Sequence, residues 1–168
     1  WNFNNVGDKA KIIHVYDLGD LGWTNLEGAF YGCSNLESFT AGVTSNVVNM
    51  NSMFRSTTGL TELDLSGLDT SSVTNISNMF NGSFNITNLN LSGFNTSSVT
   101  NMHSTFRGMA GLTTLDVSDF DTSSVTDMNS MFRGVSGLTV LDLSTFDTSS
   151  VTDMNSMFTV MSGLTNLD

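Results

Sequence analysis

The stretch FDTSSVTDMNSMF fills residues 120–132 and returns letter for letter at residues 146–158. A copy that strict arises where each unit meets the same neighbours in space, a demand that stacked equivalent units impose. Outward from it, four segments align without gaps: LDLSGLDTSSVTNISNMF from Leu63, LNLSGFNTSSVTNMHSTF from Leu89, LDVSDFDTSSVTDMNSMF from Leu115 and LDLSTFDTSSVTDMNSMF from Leu141. Each begins 26 residues after the last. Leu167 and Asp168 open a fifth, and NLESFTAGVTSNVVNMNSMF upstream is the same unit shortened by two residues. Before it, WTNLEGAFYGCSNL matches the second half of a unit, with Leu26 and Phe30 standing where Met50 and Phe54 stand.

Within a unit the apolar period changes twice. Leu141 and Leu143 alternate with Asp142 and Ser144, the period-two signal of a strand with one face inward. Val151 between Ser150 and Thr152 predicts a second short strand. Met154, Met157 and Phe158 then fall at i, i+3 and i+4, predicting a single helical turn with Asp153 as its N-cap. Gly82, Gly108 and Gly134 follow that turn where a left-handed residue is wanted, with Val160 as the exception in the last copy. A second column reads Gly59, Asn85, Gly111, Gly137 and Gly163, the two residue types that best tolerate positive φ, so a second left-handed turn is expected there.

One such unit cannot enclose its inward residues, whereas stacked units pair like strands into parallel ladders and merge their apolar columns into one elongated core. The fold class expected is therefore a repeat solenoid, leucine-rich-repeat-like, with parallel β-strand ladders and one short helical turn per coil. The absence of Pro suits a backbone whose donors are used in ladders. Residues 1–35 read as an N-terminal capping region with a partial repeat, in which Trp23 replaces the Val column and KIIHVY offers an edge strand. Residues 36–168 read as the tandem units, the last truncated, which suggests a piece of a longer protein. The final coil is expected to be open to end-to-end association.

Sixteen acidic residues against five basic ones give a net charge of -11, which repels phosphate backbones and anionic lipid, so nucleic acid and membrane surfaces are poor partners. No apolar run reaches the roughly 18 residues of a membrane span. Cys33 is the sole cysteine, so no internal disulfide forms, and with neither His14 nor His103 nearby in sequence it reads as core filler.

The unit LDLSTFDTSSVTDMNSMF, with the leader WTNLEGAFYGCSNL, resembles the bacterial BspA-like leucine-rich repeat surface proteins from about Trp23 to the end. That resemblance implies an extracellular or cell-surface module, typically a segment of a large adhesin, that binds a host, matrix or cell-surface protein or glycan. It implies no catalysis and no ligand identity.

Two surfaces are candidates. The outward column Asp64, Asn90, Asp116 and Asp142, with Ser66, Ser92, Ser118 and Ser144 beside it, would line one sheet face with acidic and hydroxyl groups able to hold a basic peptide or glycan. Its plainer reading is that aspartates keep the face wet. The second is a hydroxyl array of Ser72, Thr74, Ser98, Thr100, Ser124, Thr126, Ser150 and Thr152 flanking the buried Val. A flat, uncharged array at ladder spacing is what ordering water into an ice-like layer requires, so ice binding is the alternative function; a bare structural stalk is a third.

Asp69, Asn95, Asp121 and Asp147 form one turn column, and Asn75, Asn101, Asp127 and Asp153 another. Calcium could bridge stacked carboxylates, but no EF-hand or Gly-Asp nonapeptide is present, and turn chemistry accounts for them. Arg55, Arg107 and Arg133 recur after the Phe column as partial neutralisers of the acidic surface, and His103 reads as a solvated substitution. Catalysis uses different residues in different roles at one place, and no constellation breaks the repeat in that way. The expectation is a non-enzymatic module with no cofactor and no metal ligands.

Overall fold

The computed structural model describes residues 7–168. After a short 3-10 helix at Lys9–Lys11 come β1 (His14–Val15), β2 (Ser38–Phe39), β3 (Glu62–Asp64), β4 (Asn88–Asn90), β5 (Val140–Leu141) and β6 (Asn166–Leu167). They pair in parallel as β1 with β2, β3 with β4 and β5 with β6, placing Leu63 beside Leu89 and Leu141 beside Leu167. Residues one unit apart are thus neighbours in space. The KIIHVY segment supplies β1, so it does form a strand. Residues 1–6 of the expected capping region lie outside the described residues.

A second backbone column runs unbroken. Single-residue parallel bridges join Asn25, Asn49, Asn75, Asn101, Asp127 and Asp153 in turn. The second strand expected around Val151 is therefore reduced to one residue per coil, because the chain bends at the Asn or Asp into the next corner. The same stacking reaches back into the expected cap: the Leu26 N–H donates to the Asn49 carbonyl and Phe30 to Met53, both at 2.9 Å.

The expected helical turn does not form. Among the described residues there is no α-helix. A lone turn would leave its end N–H and C=O groups without partners. Instead, the N–H groups of Met50, Ser52, Phe54 and Ser56 donate across to the carbonyls of Asn75, Ser77, Met79 and Asn81 in the next coil, each at 2.9 Å. The residues between them close i→i+3 turns, Met53 to Met50 at 3.2 Å and Arg55 to Ser52 at 3.1 Å. A left-handed residue at every third corner blocks helix continuation: φ is 56° at Ser52, 57° at Asn78, 55° at Ser104, 57° at Ser130 and 58° at Ser156. Asp153 is accordingly no helix cap.

Side chains follow the backbone. Phe30, Phe54, Phe80, Phe106, Phe132 and Phe158 stack as one column, successive centroids 5.6, 6.2, 5.7, 5.6 and 6.2 Å apart and rings within 14° of parallel. Val47, Val73, Val99 and Val125 are fully buried in another column. Buried Thr44, Thr70, Thr96 and Thr122 clip coil to coil, each hydroxyl donating to the carbonyl of Asp69, Asn95, Asp121 or Asp147 at 2.9–3.1 Å. In the last coil Met154 and Phe158 are exposed, since no described coil lies over them.

Gly82, Gly108 and Gly134 adopt left-handed φ of 77°, 72° and 76°, and Val160 is held at 61° in the same column. The Gly59 column is a correction: none of Gly59, Asn85, Gly111, Gly137 or Gly163 has positive φ. Space, not handedness, selects glycine there. A Cβ on Gly137 would lie 2.6 Å from the carbonyl oxygens of both Ala110 and Leu112 in the coil before, and one on Gly163 2.3 Å from that of Ser136. Asn85 carries a side chain in the same column, its amide donating to the Thr58 carbonyl at 2.7 Å.

Candidate functional site

Each of the four aligned units turns three corners, and an Asn or Asp makes each one. Its Oδ1 accepts the N–H two residues on, the Asx turn that lets a polar side chain stand in for a backbone group. The corners of the candidate face are Asp64 to Ser66, Asn90 to Ser92, Asp116 to Ser118 and Asp142 to Ser144, at 2.9–3.0 Å. The second column does the same from Asp69, Asn95, Asp121 and Asp147 to the serines two residues on. The third does so from Asn75, Asn101, Asp127 and Asp153. Turn chemistry accounts for all three columns.

These bonds set the ionisation of the face. The N–H and hydroxyl of Ser66 hold the Asp64 carboxyl below the usual carboxylate range, and the Ser118 hydroxyl and N–H do so for Asp116. Ser144 lowers Asp142 in the same way. All eight residues of the face are exposed. At neutral pH it therefore presents fixed negative charge.

The face is less regular than its sequence. Asp64 and Asn90 sit side by side in β3 and β4, joined by the Asn90 amide donating to Asp64 at 3.0 Å. The segment 113–117 forms no strand, and the ladder is open on both sides of it. Asp116 is thus set apart from Asn90, and a cleft of about 110 Å³ opens there, lined by Leu89, Leu91, Asp116, Asp119 and Phe120 among others. Between the unpaired β2 and β3 lies a second cleft of about 270 Å³, with Phe39, Ala41 and Asp64 in its wall. The expectation of one continuous ladder carrying this column is corrected by these gaps. Sequence reading passed over Asp119, although it departs from the Gly67 and Gly93 of its column and so carried a signal.

The hydroxyl array is also exposed throughout. Its threonines are locked: the hydroxyls of Thr74, Thr100, Thr126 and Thr152 donate to the carbonyls of Val48, Thr74, Thr100 and Thr126 at 3.0–3.3 Å. Ser72 and Ser98 reach back to Ser45 and Ser71, while Ser124 and Ser150 are exposed at the matching positions. The N–H of each threonine bonds the same carbonyl, so rows of methyl and hydroxyl groups repeat coil by coil.

The arginines do not act as neutralisers by ion pairing. Lys11 pairs with Asp8 at 3.0 Å and the His103 ring lies 3.9 Å from Asp127, while Arg55 lies 4.9 Å over the Tyr31 ring. His103 is half-buried beside that aspartate rather than fully solvated. No three His, Cys, Asp or Glu side chains among the described residues converge as metal ligands. Cys33 is buried, and burial pushes its thiol up to about 11. It is a packed apolar group.

One family model matches the chain over residues 24–114 and again over 82–167, the family described as Mycoplasma protein of unknown function, DUF285. The chain belongs to this family. The two matched stretches together run from the partial repeat to the last unit. The family is associated with BspA-like repeat surface proteins, and its function is unknown. Comparisons with curated proteins and with solved structures return no match. No helix among the described residues is long and apolar enough to cross a membrane.

Proposed function

We propose that this chain is a leucine-rich-repeat-like solenoid segment of an extracellular surface protein, a non-enzymatic adhesion module. It recognises a protein or glycan through the face of Asp64, Asn90, Asp116 and Asp142 with Ser66, Ser92, Ser118 and Ser144. One observation carries the reading: the carboxylates are exposed, anchored by Asx turns and flanked by clefts with apolar floors. Fixed charge beside apolar depth is what recognition needs, whereas plain solvation needs charge alone. Its test is an array of glycans and matrix proteins probed with the wild type and with Asp116→Ala/Asp142→Ala. Saturable binding that the double variant loses supports it; a silent array refutes it.

A second reading rests on the threonine rows. Side chains locked by cross-coil hydrogen bonds form a rigid, uncharged, periodic surface, the property that ice recognition requires. Thermal hysteresis abolished by Thr126→Tyr/Thr152→Tyr would establish it. A stalk that only spaces other domains shows neither behaviour.

A further inference from the structure

We propose that the two inter-coil clefts are sockets for successive basic side chains of a polyproline-II peptide lying along the stack; this rests on the binding-face reading above and names its ligand class. The clefts open at the same place in their units, one beside Asp64 and the other beside Asp116, its counterpart two coils on. Each lies where a strand pair is missing: β2 is not bonded to β3, nor β4 to 113–117.

Their chemistry is that of a lysine or arginine socket. The floors are apolar, with Phe39 and Ala41 in one and Leu89, Leu91 and Phe120 in the other, while the rims carry Asp64 in the first and Asp116 with Asp119 in the second. A basic side chain buries its methylene stem on apolar surface and keeps its charged head at the polar edge. Among the described residues no basic side chain lines either cleft, and the net charge of -11 attracts cationic partners from a distance. Asp119 stands where the two preceding units have Gly67 and Gly93, so one socket has a carboxylate that the repeat does not require.

The spacing selects the backbone of the partner. The unbroken column of parallel bridges from Asn25 to Asp153 sets the spacing of successive units, so two units separate the sockets by about 10 Å. A polyproline-II chain rises about 3.1 Å per residue with three residues per turn, so residues i and i+3 lie on one side about 9 Å apart. In a β-strand, residues three apart point to opposite faces, and residues two apart span only about 7 Å. Of the two extended backbones, the polyproline-II form is the one that brings two equivalent side chains to two equivalent sockets.

The experiment is fluorescence anisotropy with a labelled peptide of four Lys-Pro-Pro triplets and a peptide of equal composition with its lysines contiguous. An uncharged oligomer of N-acetylhexosamine is run alongside. The triplet peptide is expected to bind, to weaken as salt rises to about 0.5 M, and to bind about tenfold more tightly than its contiguous-lysine isomer. Asp116→Asn/Asp119→Asn keeps the Asx acceptor at 116 and is expected to weaken it about tenfold. Equal binding of the two peptides, or no change in the variant, overturns the sockets. So does binding of the hexosamine oligomer alone, an outcome that leaves the binding-face reading standing. A silent array in the test given above refutes that reading as well.

Discussion

Phe106→Ala measures how much the stack itself holds the protein together. Phe106 is fully buried, with Phe80 at 5.7 Å below, Phe132 at 5.6 Å above and Phe120 at 6.4 Å to the side. Truncating a buried Phe costs about 3–5 kcal/mol in lost transfer energy and residual cavity. The aromatic contacts add about 0.5–1.5 kcal/mol per pair, so the total belongs near the upper end. Phe158 makes the contrast: it is 40% exposed and has one stacked neighbour, Phe132 at 6.2 Å. Phe158→Ala should cost about 1–2 kcal/mol, the fraction of that burial it actually achieves. Urea unfolding followed by circular dichroism reads both values. In heat, the interior variant should melt about 10 °C lower than wild type. Its melt should broaden or split into two transitions, since a weakened interface uncouples the coils on either side. Equal losses in the two variants would refute the argument, because coil-on-coil burial is all that distinguishes the two rings.

Four further outcomes follow from the same geometry. Ser104→Gly should raise stability by about 1 kcal/mol, judged by urea midpoint, because Ser104 combines a left-handed φ of 55° with a buried hydroxyl that has no partner, and Gly28 already fills that column upstream. Gly137→Ala should lower it by about 1–3 kcal/mol, since two backbone carbonyls lie where the methyl must go; a neutral result would refute the close-approach account of that column. Asp64, Asp69, Asp116, Asp121, Asp142, Asp147 and Asp153 all titrate below their unfolded value of 3.8. Their contribution is therefore complete above that pH and is lost as pH falls through it, so the melting temperature should drop on going from about pH 5 to about pH 2.5; a flat or rising profile would contradict the turn bonds. Cys33, buried and with its thiol raised to about 11, should resist a thiol-exchange reagent at neutral pH until the protein unfolds, so prompt labelling of native protein would show that its site opens.

Much of the coil was legible from letters alone. Leu63 and Leu89, or Phe106 and Phe132, recur at a constant interval because each meets its own kind, and the structure places them in contact. Asx residues at three corners were equally readable, since a side chain that bonds the N–H two residues on acts locally. What misled was the helical spacing of Met154, Met157 and Phe158. The same i, i+3, i+4 pattern suits a chain of tight turns whose N–H groups bond the next coil, and a single-turn pattern cannot tell the two apart. The Gly59 column misled for a related reason: glycine serves both a positive φ and a close approach, and only the distance to the neighbouring carbonyl separates them.

The sequence by itself determined the period, the inward columns and the chemistry of the corners, because these depend on a residue and its nearest neighbours along the chain. Only the tertiary structure decided where the strand ladder opens. Asp64 and Asp116 have near-identical local sequences to Asn90 and Asp142, yet clefts form where a coil fails to pair with the one beside it. Pairing between coils is settled by how whole turns fit against one another across space, and no single repeat contains that information.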